Sequence, residues 1–91
     1  MSAKEKIMKK LDVRWHRYDD KFRYAKKRKS EELWLSRRRS VTALKMIFDL
    51  LLCDSYSTRK CEYILRKQLE AALASNTPIA HGMDYVLDDI L

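Results

Sequence analysis

Ile7, Leu11, Trp15, Tyr18, Phe22 and Ala25 follow one another at spacings of four, four, three, four and three residues. At ~100° per residue these positions fall in one stripe about 80° wide, which is a helix face and is incompatible with the alternation of a strand. A first helix from about Ala3 to Lys29 is therefore expected. One glycine and one proline in 91 residues leave little of the punctuation that collagen-like, glycine-loop or turn-rich β folds need.

The rest of the chain reads the same way. Ser30 followed by Glu31 and Glu32 resembles an N-cap with acids in the first turn. Leu33, Val41, Leu44, Phe48 and Leu51 then keep to one face, with Ile47 beside it, so a second helix is expected from about Glu31 to Cys53. Ser40 offers an alternative start at Val41, but one helix is preferred, with or without a bend near Ser36 to Ser40. Asp54-Ser55-Tyr56-Ser57 is turn chemistry. A third helix runs from Ser57 or Thr58 to about Ser75, with Cys61, Ile64, Leu65, Leu69 and Ala72 inward. Asn76-Thr77-Pro78 ends it, because the residue before proline resists helical geometry. His81-Gly82 is expected to precede a short last helix with Met83, Val86, Leu87, Ile90 and Leu91 on its apolar face and Asp84, Asp88 and Asp89 on the other. The expected fold is all-α: one small four-helix domain spanning residues 1–91, without internal repeats.

Charge divides the chain. Residues 1–40 hold 15 Lys/Arg and 6 Asp/Glu, a net of +9, while residues 41–91 hold 5 and 7, a net of −2. A basic half joined to a mildly acidic half reads as an anion-binding arm on a packing module. The first helix repeats this division across its width. Lys10, Arg14, Arg17, Lys21 and Arg28 form a basic shoulder with Tyr24 interleaved, and Glu5, Asp12 and Asp19 an acidic one.

Those shoulders also fit a heptad, with Met8, Trp15 and Phe22 at a and Leu11, Tyr18 and Ala25 at d. Asp12 and Asp19 occupy e; Arg14, Lys21 and Arg28 occupy g. In a parallel homodimer through this helix, Arg14 of one chain would face Asp19 of the other. The competing reading is that bulky Trp, Tyr and Phe suit an irregular core better than a coiled-coil seam.

Several classes lose support. No Gly-rich phosphate loop, helical His pair or Gly-Ser-Gly elbow is present, and His16 and His81 are 65 positions apart. Asp19-Asp20 and Asp88-Asp89 are adjacent pairs, which diverge on a helix rather than share a proton. No catalytic residue and no cofactor is assigned, and the protein is expected not to be an enzyme. A metal site would need Cys53 and Cys61 with the two distant histidines, without the close ligand pair of zinc sites, so none is expected. No apolar run approaches the ~18–20 residues that span a bilayer, so integral membrane association is not expected. The start, Met-Ser-Ala-Lys-Glu-Lys, is charged at once and lacks a signal peptide's apolar region. With two cysteines, too few to staple a secreted mini-domain, a reducing cytoplasmic setting is the expectation.

Nucleic acid is the leading partner, with DNA favoured over RNA. The candidate contacts are Lys10, Arg14, Arg17 and Lys21 on the shoulder, the run Lys26, Lys27, Arg28 and Lys29, and the outward-pointing Arg38 and Arg39. Several cations within a Debye length neutralise a phosphate backbone, and the arginine fork can take two oxygens at once. Tyr24 and Trp34 are candidates to stack on exposed bases, whereas Tyr18 belongs to the core. Arg37 lies near the apolar face and is expected to pack its stem. A bland explanation competes: basic runs are often only solubilising faces. A helix–turn–helix with Thr58-Arg59-Lys60 entering a groove is a sharper version, opposed by the glycine-free turn, the long helices and the net acidity of this half. The rival class is an adaptor that grips a protein partner, for which an acidic, apolar last helix is suited, although that helix is also needed to cover a small core. A membrane-surface role for the first helix is weakened by Asp12, Asp19 and Asp20.

Overall fold

A computed structural model describes residues 1–91, the side chain of Pro78 excepted. The expected all-α architecture is found as four helices: α1 (Ala3–Arg23), α2 (Arg28–Leu51), α3 (Thr58–Leu73) and α4 (Pro78–Ile90). Three begin on a side-chain cap. The oxygens of Ser2, Ser57 and Thr77 accept from the backbone N–H of Glu5, Lys60 and Ala80, each at 3.2 Å.

α1 and α2 form an antiparallel pair, and charge fixes their register. The acidic shoulder of α1 faces α2: Asp12 pairs with Lys45, and Asp19 with Arg38 at 2.5 Å. Between them Trp15 Nε1 donates to Thr42 Oγ1 at 3.0 Å, and Tyr18 stacks on Trp34 with ring centroids 5.7 Å apart. Lys4 and Asp49 close the far end at 3.4 Å. The apolar stripe of α1 is thereby spent inside the chain, with Ile7, Leu11 and Tyr18 buried against Val41, Leu44 and Phe48.

α4 folds back over this pair and buries Met83, Val86, Leu87 and Ile90. α3 adds Cys61 and Leu65 to the same core. It packs on α4 and α1 and makes little contact with α2, so the α2–α3 connection is not a tightly packed hairpin. The molecule is a flattened body of 43 × 30 × 18 Å. Among the described residues, no helix is long and apolar enough to cross a membrane.

Three boundaries differ from expectation. α1 stops at Arg23, not Lys29, which leaves Lys26 and Lys27 in the turn and starts α2 at Arg28. Continuing α1 would stack Arg23, Lys26 and Lys27 at like-charge i+3 and i+4 spacings, and would carry the chain past the core that α2 must turn back to cover. Ser30 therefore lies inside α2, whose N-cap is Lys27, without a side-chain cap. α2 is continuous through Ser40, as preferred over a break. α4 begins one turn earlier than expected: Thr77 is extended (φ −97°, ψ 154°), as a residue before proline should be, and proline is compatible with a first helical turn.

That earlier start places Gly82 within α4, where the helix crosses α2. A Cβ at Gly82 would overlap Ser40 Oγ and lie 3.0 Å from Ser40 Cβ. The glycine is required by space, since its φ is not positive. Ser40, fully buried, sits 3.1 Å from the Ser36 carbonyl and 3.0 Å from that of Ile79, its hydroxyl proton tying α2 to the crossing helix.

Candidate nucleic-acid interface

With the acidic shoulder turned to α2, the opposite shoulder of α1 is left to solvent and to the end of α4. Lys6, Lys10, Arg17 and Lys21 lie within about 60° of one another on the helix, and Tyr24 continues the row at its C-cap. From Lys6 to Tyr24 the row is about 27 Å long at 1.5 Å per residue. Lys6 and Lys9 belong to this surface although the sequence reading did not include them. Lys6 precedes Lys10 by one helical turn, and that spacing was the available signal.

The near end of the row borders a groove of 460 Å³ between α1 and the last turn of α4, with Val13 and Ile90 among its lining. Asp89, the one acid in its lining among the described residues, is held by Arg14 Nε at 2.9 Å. Lys10 Nζ donates to the Ile90 carbonyl at 3.2 Å. Arg14 thus braces α4, while Lys6, Lys9 and Arg17 have no carboxylate partner among the described residues. Asp20 stands exposed at the edge of the row.

The far end opens into a second concavity at the α1–α2 turn, 510 Å³ in volume and lined by Lys21, Tyr24, Ala25, Lys26, Lys27, Ser30 and Trp34. Among the described residues no Asp or Glu lines it. Lys21 Nζ lies 4.5 Å from the centre of the Trp34 ring, and Tyr24 is 80% exposed. The start of α2 adds to the positive field. Its first N–H groups carry the positive end of the helix dipole, without a side-chain cap, beside Lys27, Arg28 and Lys29. Arg28 is partly neutralised by Glu32 at 3.3 Å, and Lys29 is exposed.

The arginine triplet does not act as one unit. Arg38 does not point outward: its guanidinium is bound to Asp19 and lies over Phe22 and Trp15, 5.0 and 5.5 Å from the ring centres. The α1–α2 pairing turns that side of α2 inward. Arg37 is half-buried, stacked 3.6 Å over the ring of Tyr85. Only Arg39 is exposed, on the side of α2 remote from the core and apart from the α1 row. Of the ten candidates, Lys10, Arg17, Lys21, Lys26 and Lys27 share one continuous surface. Arg28 and Lys29 flank it, whereas Arg14 and Arg38 are engaged internally.

The seam imagined for a parallel homodimer is likewise occupied. Leu11 and Tyr18 are buried, Asp19 accepts from Arg38 and from Arg23 at 3.0 Å, and Arg14 is bound to Asp89. Thr58, Arg59 and Lys60 are exposed at the start of α3, but α3 is not packed beside α2 as a recognition helix would be on its partner. His16 is exposed, and His81 Nε2 lies 2.9 Å from Asn76 Oδ1. Among the described residues no three His, Cys, Asp or Glu side chains are grouped to hold a metal. Comparison with protein-family models, curated proteins and solved structures finds no significant match to this chain.

Proposed function

We propose that the protein is a non-enzymatic regulator that binds nucleic acid through its phosphate backbone, using the outer face of α1 and the α1–α2 turn. One observation carries the reading: Asp12 and Asp19 of α1 are paired with Lys45 and Arg38 of α2, while Lys6, Lys10, Arg17 and Lys21 stand in one row with no carboxylate partner among the described residues, Lys10 reaching only the Ile90 carbonyl. A merely solubilising face would be expected to intersperse both signs. A row about 27 Å long spans several phosphates and releases a counterion for each one neutralised.

The reading is tested by fluorescence anisotropy with a labelled DNA duplex and its RNA counterpart. With about five phosphates neutralised, affinity should fall ~10²–10³-fold between about 50 and 200 mM salt. Lys6→Glu with Arg17→Glu should weaken binding at least ~tenfold at low salt and leave the melting temperature within about 2 °C, since both side chains are exposed and have no carboxylate partner among the described residues. Absence of binding at the lower salt rejects the reading.

A second reading, a helical adaptor for a protein partner, takes its support from a different face. Met46 and Leu50, one turn apart on α2, are 67% and 87% exposed. One stoichiometric protein retained from nuclease-treated lysate by the native chain, and lost with Leu50→Lys, favours this adaptor.

A further inference from the structure

Tyr24 has no evident part in the fold. It is 80% exposed at the C-cap of α1, where its backbone N–H, not its ring, closes the helix on Asp20. Its neighbours behave otherwise. Tyr18 is buried, and Trp34 is held between the helices by Tyr18 and the Lys21 ammonium. An open aromatic ring therefore lines the same concavity as a fixed one, with Lys21, Lys26 and Lys27 in the lining and no acid there among the described residues.

The geometry points to a site for an unpaired nucleobase, stacked on Tyr24, with its adjoining phosphates held by Lys21, Lys26 and Lys27. This deepens the nucleic-acid reading and rests on it, naming single strands or frayed ends as the preferred form. The chemistry selects this ligand over a closed duplex. Phosphates alone need cations but no exposed ring, and a base inside a duplex has both faces covered by its neighbours. A base in a single strand offers a free π-face, and stacking on an aromatic side chain is largely indifferent to sequence. The row on α1 leads the backbone into the concavity, so the two features would act on one strand.

The test holds phosphate charge constant and varies the base. Anisotropy is measured at one low salt concentration with three labelled probes: an oligothymidylate strand, the same strand with abasic sites, and a blunt DNA duplex. The native chain should bind the thymidylate strand about tenfold more tightly than the abasic one, the size of one base–aromatic stack. Tyr24→Ala should remove that difference and leave duplex affinity unchanged, while Tyr24→Phe keeps it. Lys6→Glu with Arg17→Glu should weaken all three probes. Equal affinity of the native chain for thymidylate and abasic strands overturns the stacking site while leaving backbone binding intact. So does a Tyr24→Ala variant that still distinguishes them or weakens every probe alike. Failure of all three probes to bind overturns the nucleic-acid reading itself. Because Tyr24 is largely exposed, its replacement should leave the fold in place.

Discussion

Tyr18 carries a tension that one substitution can expose. Its ring is part of the core and stacks on Trp34, yet its hydroxyl is buried without a hydrogen-bond partner among the described residues. An unsatisfied buried hydroxyl costs about 1–3 kcal/mol, whereas the ring's burial is worth a similar amount and survives in phenylalanine. Tyr18→Phe should therefore be neutral or stabilising by about 1 kcal/mol at pH 7. Burial also pushes the Tyr18 phenol above its ordinary range, helped by the charges of Tyr85 and Asp89 and opposed by Arg14 and Arg37. Burial raises the Cys61 thiol in the same way. Both groups hold their protons more tightly in the folded chain than in the unfolded one. Their contribution is complete below the unfolded values, about 8.5 for a thiol and about 10 for a phenol, and is lost as pH rises through the higher folded values. Urea midpoints should fall between pH 7 and pH 10.5, and fall less in Tyr18→Phe. An equal alkaline loss in both chains would assign it elsewhere.

At the scale of the helix, the start of α2 runs against what stability favours. A helix N-terminus prefers a Ser, Thr, Asp or Asn cap and acidic neighbours, but here Lys27 is the cap residue and Arg28 and Lys29 come before Glu31, the acid of the first turn. Lys27→Asp should supply both a cap oxygen and a favourable charge, raising stability by about 0.5–2 kcal/mol. The same change removes a cation from the concavity beside Tyr24 and should weaken binding of an oligothymidylate strand about fivefold or more at low salt, on the scale of an interaction near 1 kcal/mol. Melting and anisotropy on one variant should thus move in opposite directions; a gain in both would mean that Lys27 serves no ligand. Sequence legibility follows the same physics. Helix faces were readable because apolar spacing is local, and the basic shoulder because charge is. The ends of α1 and α4 were not, because Ser30 and His81-Gly82 are convincing local signals. They lose to the need to bring α2 back over α1 and to seat Gly82 against Ser40. Arg38 was misplaced for a related reason: only the α1–α2 register brings it onto Asp19.

Across the whole molecule, the charge asymmetry between the two halves is partly an internal contact. The acidic last helix reaches the basic first one where Arg14 meets Asp89, with Arg14 Nε 2.9 Å from Asp89 Oδ2 and the side chains 21% and 41% exposed. This pairing leads to a different outcome from the heptad reading, in which Arg14 would face Asp19 of a second chain. If the contact is internal, Arg14→Glu sets like charges together within one molecule and lowers stability by about 1 kcal/mol, at the upper end for an exposed pair. The loss in melting temperature, about 4–8 °C for a chain of this size, should be the same at every protein concentration. An intermolecular seam would make it concentration-dependent, because dissociation is then part of unfolding. The rescuing partner also differs. Asp89→Arg in the Arg14→Glu background should recover most of the loss by reversing the pair in place. Asp19→Lys should deepen it, since Asp19 is buried between Arg38 and Arg23 and a cation there would be surrounded by cations. Melting curves of these two double variants, each at two concentrations about a hundredfold apart, separate the arrangements. Rescue by Asp19→Lys together with a concentration-dependent melt would restore the seam and require α1 to leave its place against α2.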